Sequence, residues 1–416
     1  MPFTTLNLHP ALLRAITQRG YAEPTPIQLA AIPAILQGGD VVASAQTGSG
    51  KTAAFGLPLL QQWNLQRTST PRKVSTLILV PTRELATQVG DTLRSLAQYL
   101  PKPIKLAIVF GGISINPQML HLRGGADIVI ATPGRLLDLI KHNAVSLSFV
   151  QTLVLDEADR LLELGFADEL TQLLALLPPQ RQNILFSATF PEQLSQLTED
   201  FLRTPTRIEV EHTAINKPDI LQRSIVVDTD KRTQLLRHLI ETMRWERVLV
   251  FAASRYSAEL IAVKLRKARI AAEPFHGELS QGKRTQVLAD FKACRVKVVV
   301  ATDVAARGID IAQLPVVINY DLPRSSDDYT HRIGRTGRAG LSGLAINFIS
   351  TGNEAHFRLI ENRQNIKLER ERISGFEPLL TDVSISTEDK GDGGIKGKRP
   401  NKKDKLRALA LAQVKE

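Results

Sequence analysis

Cysteine appears once in 416 residues, at Cys294, so the chain cannot form an internal disulfide and has no pair of thiols to hold a metal. The eight histidines show no metal-ligand spacing, and no zinc is expected. No run of about 18 apolar residues occurs, and the opening Met1-Pro2-Phe3-Thr4 has neither the basic nor the apolar character of a leader. Membrane spanning, membrane partners and secretion are therefore not expected, and a reducing cytoplasm is the expected compartment. Aromatic residues are scarce, at 5%. That scarcity argues against sequence-specific reading of single-stranded nucleic acid, which stacks bases on aromatic platforms.

The rest of the composition is ordinary, with 43% hydrophobic and 23% charged residues, so a packed core is available. The chain is longer than one core usually grows, and two domains are the natural expectation. A net charge of +11 favours a polyanionic partner, either nucleic acid or an anionic surface. Short β-branched runs alternate with helical patterns: Val41-Val42, Thr76 to Val80, Ile128 to Ile130, Leu153 to Leu155 and Ile184 to Phe186. The alternation resumes after Pro218 with Val248 to Phe251, Val298 to Val300 and Val316 to Ile318. Near-continuous apolar strands between helices imply buried parallel sheets. The expected fold class is thus α/β, with doubly wound domains at 1–210 and 220–370. A polar stretch at 211–219, where Lys217-Pro218 disfavours helix, reads as a short flexible linker. From 371 to 416 the pattern dissolves into a basic tail, expected to be disordered because it cannot bury enough surface to fold.

Two segments carry chemistry. The strand ending at Val42 runs into Ala45-Gln46-Thr47-Gly48-Ser49-Gly50-Lys51-Thr52 and then a helical pattern, the order that a phosphate-cradling loop requires. Glycines let backbone N–H groups approach the anion, Lys51 reaches the outer phosphates, and the Thr52 hydroxyl is a magnesium ligand. Ala45 stands where the strict pattern has glycine, which makes this a variant loop. The second segment is Asp156-Glu157-Ala158-Asp159, at the end of the apolar run Leu153-Val154-Leu155. Strand C-termini are where ligands of open α/β sheets sit. Asp156 is placed to hold hydrated magnesium, and Glu157 to orient and deprotonate the attacking water. Taken alone, the acidic group also suits a helix N-terminus.

With Pro24-Thr25-Pro26-Ile27-Gln28 upstream and His331-Arg332-Ile333-Gly334-Arg335-Thr336-Gly337-Arg338 downstream, these sites resemble the DEAD-box RNA helicases. Further matches are Pro81 to Ala86, Gly111-Gly112, Thr132-Pro133-Gly134-Arg135, Ser187-Ala188-Thr189, Ala301-Thr302-Asp303 and Arg307-Gly308-Ile309-Asp310, so the resemblance covers residues 3 to about 350. The weakest match is Val250 to Arg255, where the family often carries asparagine.

The resemblance implies two tandem RecA-like domains, ATP and Mg2+ as cofactors, and RNA as partner. It implies that Gln28 reads the adenine edge while Phe3 stacks on its face, although Phe3 also suits a hydrophobic staple. Arg335 and Arg338 are implied as arginine fingers, or else as a phosphate-backbone patch. Asp310, with Gly308 nearby, is implied at the ribose. Ser187 and Thr189 would relay between nucleotide and RNA, with helix capping as the alternative. Arg83, Gly112, Thr132 and Arg135 on the first domain, with Gln281, Arg284 and Thr302 on the second, are implied to line an RNA groove. Such phosphate and sugar contacts carry little sequence specificity.

The implied activity is RNA-stimulated ATP hydrolysis that locally separates short duplexes, without processive movement. An ATP-gated RNA clamp is the alternative, and a DNA helicase is disfavoured. The compact core and short basic end are similar to the bacterial RhlE-type branch, which implies ribosomal precursors or RNA-decay machinery as partners. A monomer is expected. The end of the chain, including Lys396, Lys398, Arg399, Lys402, Lys403 and Lys405, reads equally as an RNA tether or a solubility tail.

Overall fold

The computed structural model describes residues 2–45, 48–65, 70–190, 192–199, 201–210, 220–306, 314–337 and 342–378. The segment read as a linker and all of the chain from 379 onward lie outside the described residues. In the first half the strands are β1 (Val41–Ser44), β2 (Thr76–Leu79), β3 (Leu106–Val109), β4 (Ile128–Ala131), β5 (Thr152–Asp156), β6 (Gln182–Ser187) and β7 (Thr206–Glu209), and the apolar runs of the sequence account for all but β3 and β7. The seven strands form one sheet in the order β3-β4-β2-β5-β6-β1-β7, with every pair parallel.

The second half supplies β8 (Ile220–Val226), β9 (Val248–Phe251), β10 (Ala272–Phe275), β11 (Val298–Ala301), β12 (Val316–Asn319), β13 (Gly343–Ile349) and β14 (Arg370–Glu371). Their order is β10-β11-β9-β12-β13-β8-β14, which repeats the first sheet's order strand for strand. Both sheets belong to one compact unit, Met1–Pro378.

Alternation along each strand divides the side chains between two faces, as the two-residue period of a strand requires. In the first lobe Val41, Ala43, Ile78, Val154 and Ile184 pack on one face, while Val42, Leu77, Leu79, Leu153 and Leu185 pack on the other. The second lobe does the same, with Val248 and Val250 on one face and Leu249 and Phe251 on the other. Helices on both faces cover these surfaces, which explains why the strands read as continuous apolar runs.

The register decides which loops meet. Ser44 pairs with Ser187 and Asp156 pairs with Phe186, so the carboxyl ends of β1, β6 and β5 lie side by side at roughly 5 Å per strand. At the far end, Glu371 still pairs with Ile225, and Ile373 and Phe376 pack on the second lobe's core. The folded part therefore continues beyond 370, where sequence periodicity stops. A two-residue strand is too short to show a period. Among the described residues, no helix is long and apolar enough to cross a membrane.

Candidate functional site

Lys51 opens the helix Lys51–Leu65 directly after Gly50. Gly48 and Gly50 have φ of 84° and 94°, in the left-handed region where glycine is unstrained. At Gly50 a Cβ would lie 2.4 Å from Gln28 Nε2, so only glycine fits against that amide. Lys51 is 6% exposed, and its Nζ has no hydrogen-bond partner among the described residues. A buried ammonium without a partner carries a large desolvation penalty, and an anion at the loop removes it. Thr52 follows on the first turn, half-buried. Ala45 is buried, and its N–H donates to Ser187 O, tying the loop to β6. Gln46 and Thr47 lie outside the described residues.

Asp156 ends β5 at 2% exposure. Burial pushes its carboxyl up to about 6, against the opposing charge of Lys51. Such a carboxylate beside a phosphate loop fits magnesium, which takes one or two carboxylates plus phosphate oxygens and water. Among the described residues, no group of three or more His, Cys, Asp or Glu side chains is placed to hold an ion. Glu157 has φ of 52°, a left-handed conformation unusual for a non-glycine residue. Its Oε2 is buried without a hydrogen-bond partner, 3.7 Å from Arg160 Nε.

Asp159 joins this strand end to the next. Its Oδ2 accepts from Ala188 N (3.2 Å), Thr189 N (2.9 Å) and Thr189 Oγ1 (2.9 Å), while Ser187 Oγ donates to Thr189 O at 2.6 Å. The structure thus brings Ser187 and Thr189 onto the acidic segment, with Thr189 held directly by its last carboxylate.

Near the loop, one residue sits differently from the sequence reading. Phe3 lies in the 3-10 turn Phe3–Leu6, is 5% exposed and packs into the first lobe's core. Almost no ring face is left for adenine, so stacking by Phe3 is corrected to core packing. Gln28 forms a capping box with Thr25. Its Oε1 accepts from Thr25 N and its Nε2 donates to Gly50 O. Each end of an amide has one further bond to offer, so capping and adenine contact are compatible.

Across the cleft, Arg335 is 6% exposed and lies three residues after Arg332. Arg332 grips Asp303 with Nε and Nη2 at 2.6 and 2.7 Å, donates to Asn319 Oδ1 and Asp321 O, and lies over the Phe251 ring. Behind it runs a buried chain in which Asn319 donates to Asn347, Asn347 to Tyr329 Oη, and Tyr329 to Gln222. Burial holds the Tyr329 hydroxyl up at about 12, so it remains a donor. This chain fixes the arginine-bearing helix on its sheet. A small cavity of about 10 Å3 is lined by Asp303, Asp328, His331, Arg332 and Arg335 of the second lobe and by Arg160 of the first. Arg338, Gly308 and Asp310 lie outside the described residues.

The candidate RNA residues form a second group. A Cβ at Gly112 would lie 2.1 Å from Arg83 Nη2, so the glycine makes room for that guanidinium. Thr132 Oγ1 accepts weakly from Gly111 N at 3.4 Å. Arg135 is 9% exposed and donates to Ile113 O, but its Nη1 is buried without a hydrogen-bond partner. Gln281 begins the helix Gln281–Lys292 with its Oε1 likewise unpartnered. Thr302 is half-buried just past β11, its N–H on Phe275 O. Arg284 departs from the expectation. Its Nε is 2.8 Å from Glu84 Oε1 of the first lobe, its other nitrogens donate to His276 O and Ala305 O, and it lies 4.5 Å from the Phe275 ring centre. The guanidinium is satisfied by protein, so Arg284 is corrected from RNA ligand to inter-lobe tie.

The DEAD/DEAH box helicase family model matches residues 25–197, and the helicase conserved C-terminal domain matches 230–340. The DEAD-box ATP-dependent RNA helicase CshA of Bacillus subtilis (strain 168) is 38% identical over 381 residues, 92% of this chain and 75% of that protein. The chain belongs to the DEAD-box ATP-dependent RNA helicases. CshA of Geobacillus kaustophilus (strain HTA426) is also 38% identical, over 91% of the helicase and 80% of that relative. Among solved structures, Saccharomyces cerevisiae Dbp5 bound to RNA and ADP BeF3 superposes with a TM-score of 0.79 at 29% identity, covering 89% of the helicase and 95% of that chain. Mss116p bound to ssRNA and AMP-PNP gives 0.80 at 29% identity, covering 91% and 80%. The two bacterial relatives carry the CshA name and not the RhlE name expected from the compact core.

Sequence reasoning passed over Arg332, Glu84 and Arg160 of the helicase as site residues. For Arg332 a signal existed, since it stands inside the matched run His331 to Arg338.

Proposed function

We propose that this ATP-hydrolysing RNA helicase separates short RNA duplexes locally, by closing its lobes on ATP and one RNA strand together. Magnesium-bound ATP supplies a polarised γ-phosphate at the loop Gly48 to Thr52. Lys51 and Thr52 hold its outer oxygens and the ion, Asp156 carries the ion's water shell, and Glu157 takes the proton of the attacking water. Arg335, with Arg338, steadies charge from the second lobe, so hydrolysis demands closure. Arg83, Thr132, Arg135, Gln281 and Thr302 bind phosphates and sugars of one strand, Gly112 giving Arg83 its place. Through Asp159, Ser187 and Thr189 couple the two sites.

The observation that supports this reading is the shared cavity, where Arg335 of one lobe stands with Arg160, a helical turn from Glu157, of the other. Because ATP and RNA both select the closed form, each strengthens binding of the other. Measuring ATP turnover against RNA concentration tests this. Turnover that does not rise with RNA overturns the coupling.

The buried tie between Arg284 and Glu84 also favours a long-lived closed form, in which the protein acts as an ATP-gated RNA clamp. Strand release from a short duplex under multiple turnover separates the two readings. Within the family, we place the helicase near the RhlE-type branch, acting as a cytoplasmic monomer on ribosomal precursors or RNA-decay intermediates. The charge of +11 supports RNA of this kind as the target. Cross-linking to RNA in cells, followed by sequencing, tests that assignment.

A further inference from the structure

Arg160 is among the largest fully buried side chains, at 2% exposure, yet its Nη1 and Nη2 have no hydrogen-bond partner among the described residues. An isolated guanidinium in such a place is strongly destabilising unless charges nearby compensate it. Two sources are at hand. On its own helix, Ala158–Glu163, the Glu157 carboxylate lies 3.7 Å from Nε. Across the cleft, the small cavity that Arg160 shares with the second lobe has Asp303 and Asp328 in its wall. Asp303 is already gripped by Arg332 through two bonds, while Asp328 accepts from the Oγ of Ser325, the residue that caps the start of the arginine-bearing helix Ser326–Ile333. A space of about 10 Å3 is enough for one water. The space therefore suits a contact between lobes, direct or through a single water.

We propose that Arg160 is a positioning residue that links closure of the lobes to the orientation of the Glu157 carboxylate. Its Nε side braces Glu157 in the left-handed turn, while its Nη groups meet the acidic wall of the second lobe, chiefly Asp328. With the lobes apart, the guanidinium has only Glu157 as a counter-charge and pulls the carboxylate toward itself. On closure the second lobe shares that charge and leaves Glu157 aimed at the water. The inference rests on Glu157 as the base, so its test must be able to fail separately.

The experiment measures ATP turnover at saturating RNA for Arg160→Gln, Arg160→Lys, Asp328→Asn, the Arg160→Gln/Asp328→Asn pair and Glu157→Gln. Arg160→Gln should lower kcat about tenfold with the KM for ATP within about twofold, because the loss is in orientation and not in binding. The pair should be no slower than Arg160→Gln alone, since both changes remove one linkage. A kcat near wild type, or losses that multiply in the pair, overturns the proposal. Arg160→Lys keeps the charge without the planar fork, and should lose severalfold in kcat at unchanged KM. If Arg160→Gln fails to fold, an unaltered kcat for Arg160→Lys overturns the proposal by itself. Rapid turnover by Glu157→Gln overturns the base assignment, whereas an inactive Glu157→Gln beside a fully active Arg160→Gln overturns only the positioning role.

Discussion

Removing the carboxylate of Glu84, by Glu84→Gln, separates an inter-lobe tie from an RNA contact. Both side chains of the Glu84–Arg284 pair are less than 10% exposed, and the N···O distance is 2.8 Å, so water cannot replace a missing partner. Breaking a buried pair by removing one charge costs about 3–5 kcal/mol. Arg284 keeps its acceptors His276 O and Ala305 O and its ring partner Phe275, which places the loss at the low end, about 3 kcal/mol. The pair joins the lobes, so the whole loss falls on the closed form and lowers its population about 100-fold at 1.4 kcal/mol per factor of ten. Fluorescence anisotropy of a labelled RNA oligomer with a non-hydrolysable ATP analogue reads this directly. Affinity should fall about 100-fold for Glu84→Gln and by a similar factor for Arg284→Gln, and the pair of changes should cost little more than either alone. Glu84 is an anion with no reason to touch RNA phosphates. Unchanged affinity in Glu84→Gln beside a large loss in Arg284→Gln would refute the tie and restore Arg284 as an RNA ligand.

Gly112→Ala puts a methyl group 2.1 Å from Arg83 Nη2 at a φ of 79°, so Arg83 must move; RNA affinity should drop about tenfold, with ATP affinity unaltered as the control. Asp159→Asn replaces an oxygen-only acceptor, which takes three bonds at Oδ2 and one at Oδ1, by an amide that must set one donor against another, at a cost of about 1–3 kcal/mol. Duplex separation should fall further than ATP turnover, and equal losses in the two assays would count against coupling through this carboxylate. Because burial lifts the Asp156 carboxyl to about 6, magnesium must displace a proton below that pH. Affinity for magnesium-bound ATP should then weaken up to about tenfold per pH unit below 6, beyond the nucleotide's own titration. The stability of the nucleotide-free protein has the opposite sign. An acid whose folded pKa is raised contributes stability that is present below its ordinary value of 3.8 and lost as pH rises through about 6. Calorimetric melting between pH 4 and 8 checks it, with Asp156→Asn expected to lose that slope.

What the sequence determined by itself was everything carried by neighbours along the chain. Strands β1, β2, β4, β5, β6, β9, β11 and β12 were legible because burial on both faces demands unbroken apolar runs. The glycine loop and the Asp156-Glu157 pair were legible because their chemistry is confined to a few consecutive residues. The tertiary structure alone decided how side chains distant in sequence share their bonds. Arg284 meets Glu84 across 200 residues, Gln28 turns its amide to Gly50, and Phe3 sinks into a core built mostly from later segments. Arg160 directly follows the Asp156 to Asp159 segment, and only the fold buries it to 2% exposure. The physical reason is that desolvation and partner choice depend on which surfaces come together, and no local pattern of residues records that.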